Sequence, residues 1–337
     1  MVNLKYLVFL ICFVQTPHYS VADNLVQLVD SVPDRLITDC FFGVETISFI
    51  LYTRDIEDGV VLTVENITST DEFKKHVLSR PIVFLIHGFM SAPNNSNYID
   101  LAEAILLKDD VFVISIDWRE GACAGGLSLT ELAGYSKAAE NTHVVGQYIA
   151  NLTKMLIDKY DAKLPNMLVI GHSLGAQVAG FAGKEFQKLN VGKYPQIIGL
   201  DPAGPLFSDK TCSERLCITD AYYLQIIHTT MTAGVTEAIG HVDFYMNKGH
   251  LQPGCNPLDI SCSHTKAVIY LTETIRHKCC FIGTPWSNYL ITEPISMCTK
   301  YSCVCVGLNA RDYPARGKFY VEVERSSPHC NSHNLIL

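Results

Sequence analysis

The stretch Met167-Leu168-Val169-Ile170-Gly171-His172-Ser173-Leu174-Gly175, continued by Ala176, Val178, Ala179, Phe181 and Ala182, constrains this chain more than any other. Its first four residues read as a buried strand and its last five follow helical spacing, so a sharp turn has to join them. Where a strand and a helix nearly touch, a Cβ atom clashes. Gly171 and Gly175 remove that atom, and the strained turn lifts the Ser173 hydroxyl out of the backbone. The helix amino terminus also gathers free N–H groups that favour negative charge on a bound oxygen. A bare Gly-x-Ser-x-Gly also fits an ordinary glycine-rich turn, and it is the flanking strand and helix that favour a nucleophile.

Other apolar runs, at 82–86, 111–116, 197–200 and 223–227, are rich in Val, Ile, Leu and Phe without strict alternation, as strands buried on both faces are. Between the second of these and 167–170, residues 129–160 carry Leu132, Ala139, Val145, Tyr148, Ile149, Leu152, Leu156 and Ile157 as one helical stripe. Strand and helix in alternation predict an α/β fold with a largely parallel sheet wrapped by helices. The cysteine-rich tail, 279–330, lacks a long helical pattern and is expected to form loops and short strands stapled to the body.

A serine hydroxyl is a poor nucleophile until a base takes its proton, and the base needs an orienting carboxylate. In folds with this turn the chain order is Ser, acid, His. Asp201 follows Ile197-Ile198-Gly199-Leu200 and precedes the turn formers Pro202 and Gly204, which places it at a strand's carboxyl end. Asp117 also ends a strand but precedes the serine, while Asp220 and Asp243 fit the order with poorer placement. The base is one of His228, His241, His250, His264, His277, His329 and His333. His264 leads, because Cys262 can fix its loop on one side and the apolar run 267–271 can anchor the other. His228 and His241 flank strands and suit structural roles. For the oxyanion, Leu174 offers one N–H, and the early strand 82–86 runs into His87-Gly88-Phe89, where Phe89 offers a second.

Lys5, the apolar run 6–14 and the small residues Ser20-Val21-Ala22 form the three-part pattern of a signal peptide, expected to span 1–22 and too short for a membrane span. Residues 23–35 read as mature terminus or a short pro-segment ending at Arg35, and 36–337 as a single catalytic domain. Export suits the 13 cysteines, of which Cys12 lies in the leader and twelve remain, enough for six bridges. No paired Cys-x-x-Cys spacing supports zinc, and no metal is expected. Asn66, Asn94 and Asn151 stand in glycosylation acceptor patterns. A net charge of −8 without a long basic run argues against nucleic-acid binding, and leaves attachment to lipid to apolar contacts.

Taken together, several segments make the chain resemble the pancreatic-type lipase family, in particular the phospholipase A1 enzymes of wasp and related insect venoms. They are Phe84-Leu-Ile-His-Gly-Phe89, Ile116-Asp-Trp118, Gly171-His-Ser-Leu-Gly175, Ile198-Gly-Leu-Asp-Pro-Ala-Gly204, Cys212-Ser-Glu-Arg-Leu-Cys217, Gly240-His-Val-Asp-Phe-Tyr245, Cys262-Ser-His264 and Cys303-Val-Cys-Val-Gly-Leu-Asn309. The resemblance runs from about Cys40 to Cys330. It implies an α/β-hydrolase fold, a Ser173–Asp201–His264 triad, backbone donors at Phe89 and Leu174, and secretion, with venom as the fluid. It also implies bridges Cys40–Cys123, Cys212–Cys217 and Cys255–Cys262, leaving six cysteines unassigned.

Cys255 and Cys262 bracket the family's lid, and the intervening residues 256–261 are too few for the amphipathic helix of lidded lipases, since isolated helices are marginal below about 12 residues. An uncovered site favours phospholipid at a membrane surface over triacylglycerol. The sequence stops soon after Cys330, so no carboxyl-terminal β-sandwich and no colipase are expected. A monomer needing no cofactor is the working expectation, with a triacylglycerol lipase or a non-catalytic lipid-binding relative as the competing readings.

Overall fold

The computed structural model describes residues 40, 43–44, 46–64, 66–67, 80–124, 134–277, 279–286 and 298–330. The expected leader (1–22) and pro-segment (23–35) lie outside them, as does Leu132 of the helical stripe. In chain order the strands are β1 (Ser48–Thr53), β2 (Ile56–Leu62), β3 (Ile82–Ile86), β4 (Phe112–Asp117), β5 (Met167–His172), β6 (Tyr194–Leu200), β7 (Ala221–His228), β8 (Val242–Met246), β9 (Ile282–Pro285), β10 (Val304–Cys305) and β11 (Gly317–Val321). The helices are α1 (Ser96–Lys108), α2 (Tyr135–Tyr160), α3 (Leu174–Lys188) and α4 (Ile260–Arg276).

Among the described residues one sheet holds eleven strands in the order β10-β9-β11-β8-β7-β6-β5-β3-β4-β1-β2. β3 through β8 run parallel, β11 joins them parallel to β8, and β1, β2, β9 and β10 add antiparallel edges. The parallel strands are apolar along their length because helices cover both faces. Successive side chains point to opposite faces, so Phe84, Val169 and Ile197 meet α2 and α3, while Leu85, Ile170 and Ile198 meet α1 and α4. On α2 the stripe residues Ala139, Val145, Ile149, Leu152 and Leu156 are buried, and Tyr148 and Ile157 are partly so.

This strand order sets up the site. β3 and β6 flank β5, with Ile86 opposite Gly171 and Leu200 opposite His172, so the carboxyl ends of the three strands lie side by side. In open parallel sheets ligands bind outside these ends, where neighbouring connections diverge.

Six disulfides join the described residues: Cys40–Cys123, Cys212–Cys217, Cys255–Cys262, Cys279–Cys330, Cys280–Cys305 and Cys298–Cys303. Cys40–Cys123 closes the longest loop, with a sequence separation of 83. Since long loops lose most entropy when unfolded and cross-linked, replacing both residues with alanine is expected to cost about 2–5 kcal/mol, read as a lower denaturation midpoint. Unfolding at the wild-type midpoint would contradict this.

Candidate active site

Ser173 sits at the junction of β5 and α3 with φ 58° and ψ −125°, a conformation that non-glycine residues rarely adopt. Several contacts hold the strain. Ser173 N–H donates to Leu200 O at 3.0 Å, and Ala203 N–H donates to Ser173 O at 3.2 Å. A Cβ on Gly171 would lie 2.2 Å from Gly175 O, and one on Gly175 would lie 2.2 Å from Ile86 O, so the turn has no room for either. The hydroxyl makes no hydrogen bond to any other described residue, and Ser173 opens onto a cavity of about 270 Å³.

Asp201 follows β6, fully buried, at φ 41°. Both carboxylate oxygens are engaged. Oδ1 accepts from the N–H groups of Thr229 and Thr230 at 2.7 and 3.1 Å, and Oδ2 accepts from His264 Nδ1 at 2.6 Å. His264 lines the same cavity as Ser173.

His264 stands near the start of α4 and not in the loop its neighbours suggested, which corrects that part of the sequence reading. Asp259 caps the helix by accepting from Cys262 N–H at 3.1 Å, so the turn carrying His264 is already helical. Residues buried on α4, among them Ala267, Val268, Leu271 and Ile275, then fix its rotation.

The rival residues are taken up elsewhere. Asp117 accepts from Arg119 through both oxygens, Asp220 binds Lys184 at 2.6 Å, and Asp243 accepts from His228 Nε2 at 3.0 Å. His241 Nδ1 accepts from Leu224 N–H, and His329 Nδ1 bonds Glu273. His250 lines a separate cavity, His277 is exposed, and His333 lies outside the described residues.

The two expected donors are Phe89, next to the Gly88 that packs against Ser173, and Leu174, next to Ser173 in the chain. Among the described residues no backbone carbonyl takes either N–H, whereas the next donor, Met90 N–H, bonds Ala122 O at 2.8 Å. Gly88 owes its place to space and not to an unusual φ. A Cβ would lie 2.6 Å from Ser173 Cβ and 3.0 Å from His172 O. Gly88→Ala is expected to lower stability by about 1–3 kcal/mol, measured by denaturant unfolding; an unchanged midpoint would mean that the loop gives way freely.

His87 braces this loop. Its Nδ1–H donates to Gly88 O at 3.0 Å, Nε2 accepts from Trp118 N–H at 3.4 Å, and the ring stacks on the Trp118 indole. Burial pulls its pKa from 6.5 down to about 4. The unfolded chain therefore binds more protons between these values, so the stability His87 contributes is full above pH 6.5 and is lost as pH falls toward 4. Buried His172 adds in the same sense, and Asp220, raised to about 6 by burial, opposes below that pH. The melting temperature is expected to fall between pH 6.5 and 4, and His87→Asn is expected to flatten the slope; an unaltered slope would mean that His87 is not the group responsible.

Sequence reasoning missed Tyr98, Tyr135, Thr229, Thr230 and the part played by His172. Tyr98, Tyr135 and His172 line the cavity, and Tyr135 meets the Phe89 ring edge-on at 5.1 Å. Phe89, Met90, Tyr135, Pro205 and Ala233 make one part of the lining apolar, while Ser91, Asn95, Asn97, Ser261 and Thr265 are polar. Among the described residues no group of three or more His, Cys, Asp or Glu could hold a metal ion.

A largely parallel sheet with a strained serine turn at the carboxyl end of its central strand defines an α/β hydrolase. Residues 42–329 match the profile of the family described as Lipase, and the chain belongs to that family. It is 50% identical over 337 residues to "Phospholipase A1" of Polybia paulista, covering 99% of this chain and 100% of that one. It is 52% identical over 333 residues to "Probable phospholipase A1 magnifin" of Vespa magnifica, covering 98% of each. "Phospholipase A1 2" of Dolichovespula maculata is 53% identical over 304 residues, covering 90% of this chain and all of that protein.

Proposed function

We propose that this chain is a secreted phospholipase A1 that hydrolyses the sn-1 ester of phospholipids, with Ser173 as nucleophile, His264 as base and Asp201 as orienting acid. The observation that carries the reading is the 2.6 Å bond from His264 to a buried aspartate, on an imidazole that shares a cavity with an unengaged serine hydroxyl. Hydrogen bonds at such sites tighten when substrate binds, so a gap between serine and base in the free enzyme is compatible with transfer.

His264 Nε2 takes the Ser173 proton as Oγ attacks the carbonyl carbon, and the N–H groups of Phe89 and Leu174 receive the oxyanion. Collapse expels the lysophospholipid oxygen, which takes the proton from His264. Water, deprotonated by the same imidazole, then attacks the acyl-serine; the acyl–Oγ bond breaks, the imidazolium returns its proton to Ser173 Oγ, and the fatty acid leaves. Asp201 holds the ring and stabilises its charged form without taking the proton.

The mixed lining supports an amphiphile, with its apolar residues suited to an acyl chain and its polar residues to a head group. The short segment between Cys255 and Cys262 supports an uncovered site, and exposed Leu258 within it and Leu251 just before it suit contact with a lipid surface. Residues 36–337 are read as one domain, supported by a single continuous sheet. Six bridges support an oxidising, extracellular compartment, and Asn66, Asn94 and Asn151 are exposed, which leaves room for glycans.

Product analysis on a phosphatidylcholine with different acyl chains at its two positions tests the substrate. Release of the sn-1 acid is expected, with triolein a much poorer substrate. Preferential sn-2 release, or faster turnover of triolein, would replace the reading with another lipase activity.

A further inference from the structure

His172, the residue before Ser173, makes two hydrogen bonds that join three elements. Its Nε2 lies 3.1 Å from the carbonyl oxygen of His264 on α4, and its Nδ1 lies 2.8 Å from the Tyr98 hydroxyl on α1. A carbonyl oxygen can only accept, so Nε2 carries the proton. In a neutral ring Nδ1 then has to accept, and the Tyr98 hydroxyl donates to it. The His172 ring also packs on that of His264, with centroids 4.6 Å apart and planes tilted by 43°.

We propose that Tyr98 and His172 are positioning residues for His264: the Tyr98 hydroxyl locks His172 in its Nε2–H tautomer, and that N–H and ring face hold the His264 backbone and imidazole against Asp201 and toward Ser173. The proposal rests on the triad reading above. Burial keeps the His172 pKa well below its ordinary value and raises Tyr98 to about 12, so both stay neutral across physiological pH. Neutrality matters, because His264 becomes positive during the reaction and a charged ring beside it would oppose that. The titratable groups around His172 are Tyr98 from α1, His87 after β3 and His264 from α4, so no carboxylate competes for its proton.

Tyr98→Phe removes one oxygen. Turnover is expected to fall about tenfold with KM within about twofold, the size of effect that follows from losing one hydrogen bond that orients a base. The melting curve should stay close to wild type at the assay temperature. Histidine-selective ¹⁵N spectra should show His172 as the Nε2–H tautomer in the wild type and a shift toward Nδ1–H in Tyr98→Phe. His172→Gln retains an N–H donor with no tautomer to control, so it should keep more activity than His172→Leu, and adding Tyr98→Phe to it should cost little more. A Tyr98→Phe enzyme with wild-type kcat and an unmoved tautomer overturns the proposal, as does equal loss in His172→Gln and His172→Leu. Wild-type labelling by a fluorophosphonate separates the two levels: no labelling removes the triad and this proposal together, whereas normal labelling with an unaffected Tyr98→Phe removes only the proposal.

Discussion

Replacing Ser173 with alanine is expected to lower turnover on phosphatidylcholine by about 10⁴- to 10⁶-fold while leaving the folded state intact. The two halves of this expectation have separate causes. Turnover falls because the acyl-enzyme route disappears, leaving only the oxyanion donors and substrate binding. Folding survives because the hydroxyl has no partner among the described residues, so its removal orphans no buried group. The backbone strain at φ 58° is carried equally by serine and alanine. Activity near the wild-type level in the alanine variant would remove the assignment.

The second large effect concerns Asp201→Asn, for which a fall in turnover of about 10⁴-fold is expected with a small change in stability. Thr229 and Thr230 present two N–H groups to one carboxylate oxygen, which dictates the orientation of an asparagine there. Its carbonyl oxygen has to face those donors, so its NH₂ faces His264 Nδ1. That nitrogen then accepts, the ring proton moves to Nε2, and the atom that must receive the serine proton is already occupied. Raising the pH cannot restore it, because the fault is the tautomer and not the charge. Turnover within tenfold of wild type, with the unfolding midpoint unchanged, would show that Asp201 does not control the ring.

The serine turn was legible because its constraint is local: two glycines, a strand and a helix lie within a dozen residues, and the close contacts at Gly171 and Gly175 have the form those glycines imply. Asp201 was legible from chain order and from the strand that delivers it. His264 was not separable from its competitors by local sequence, since its approach to Asp201 depends on the docking of α4 from 63 positions away. The residues did hold an overlooked signal, the Asp259 cap followed by Ala267, Val268, Leu271 and Ile275 at helical spacing, which marks α4 as a helix. Tyr98 and His172 meet across 74 positions, and no pattern along the chain predicts such a pair. The edge strand β2 escaped for another reason: it is Ile56-Glu-Asp-Gly-Val-Val-Leu62, mostly half-buried or exposed, without the apolar run that marks a central strand.

Local strain and distant docking thus meet at one cavity, lined both by a hydroxyl placed by its own turn and by an imidazole placed by a remote helix. Fluorophosphonate modification followed by peptide mapping reads that meeting point directly. A single adduct on Ser173, formed in step with loss of phosphatidylcholine hydrolysis and absent in His264→Ala, is the predicted result. Loss of hydrolysis with Ser173 unmodified, or an adduct formed equally fast without His264, would contradict it.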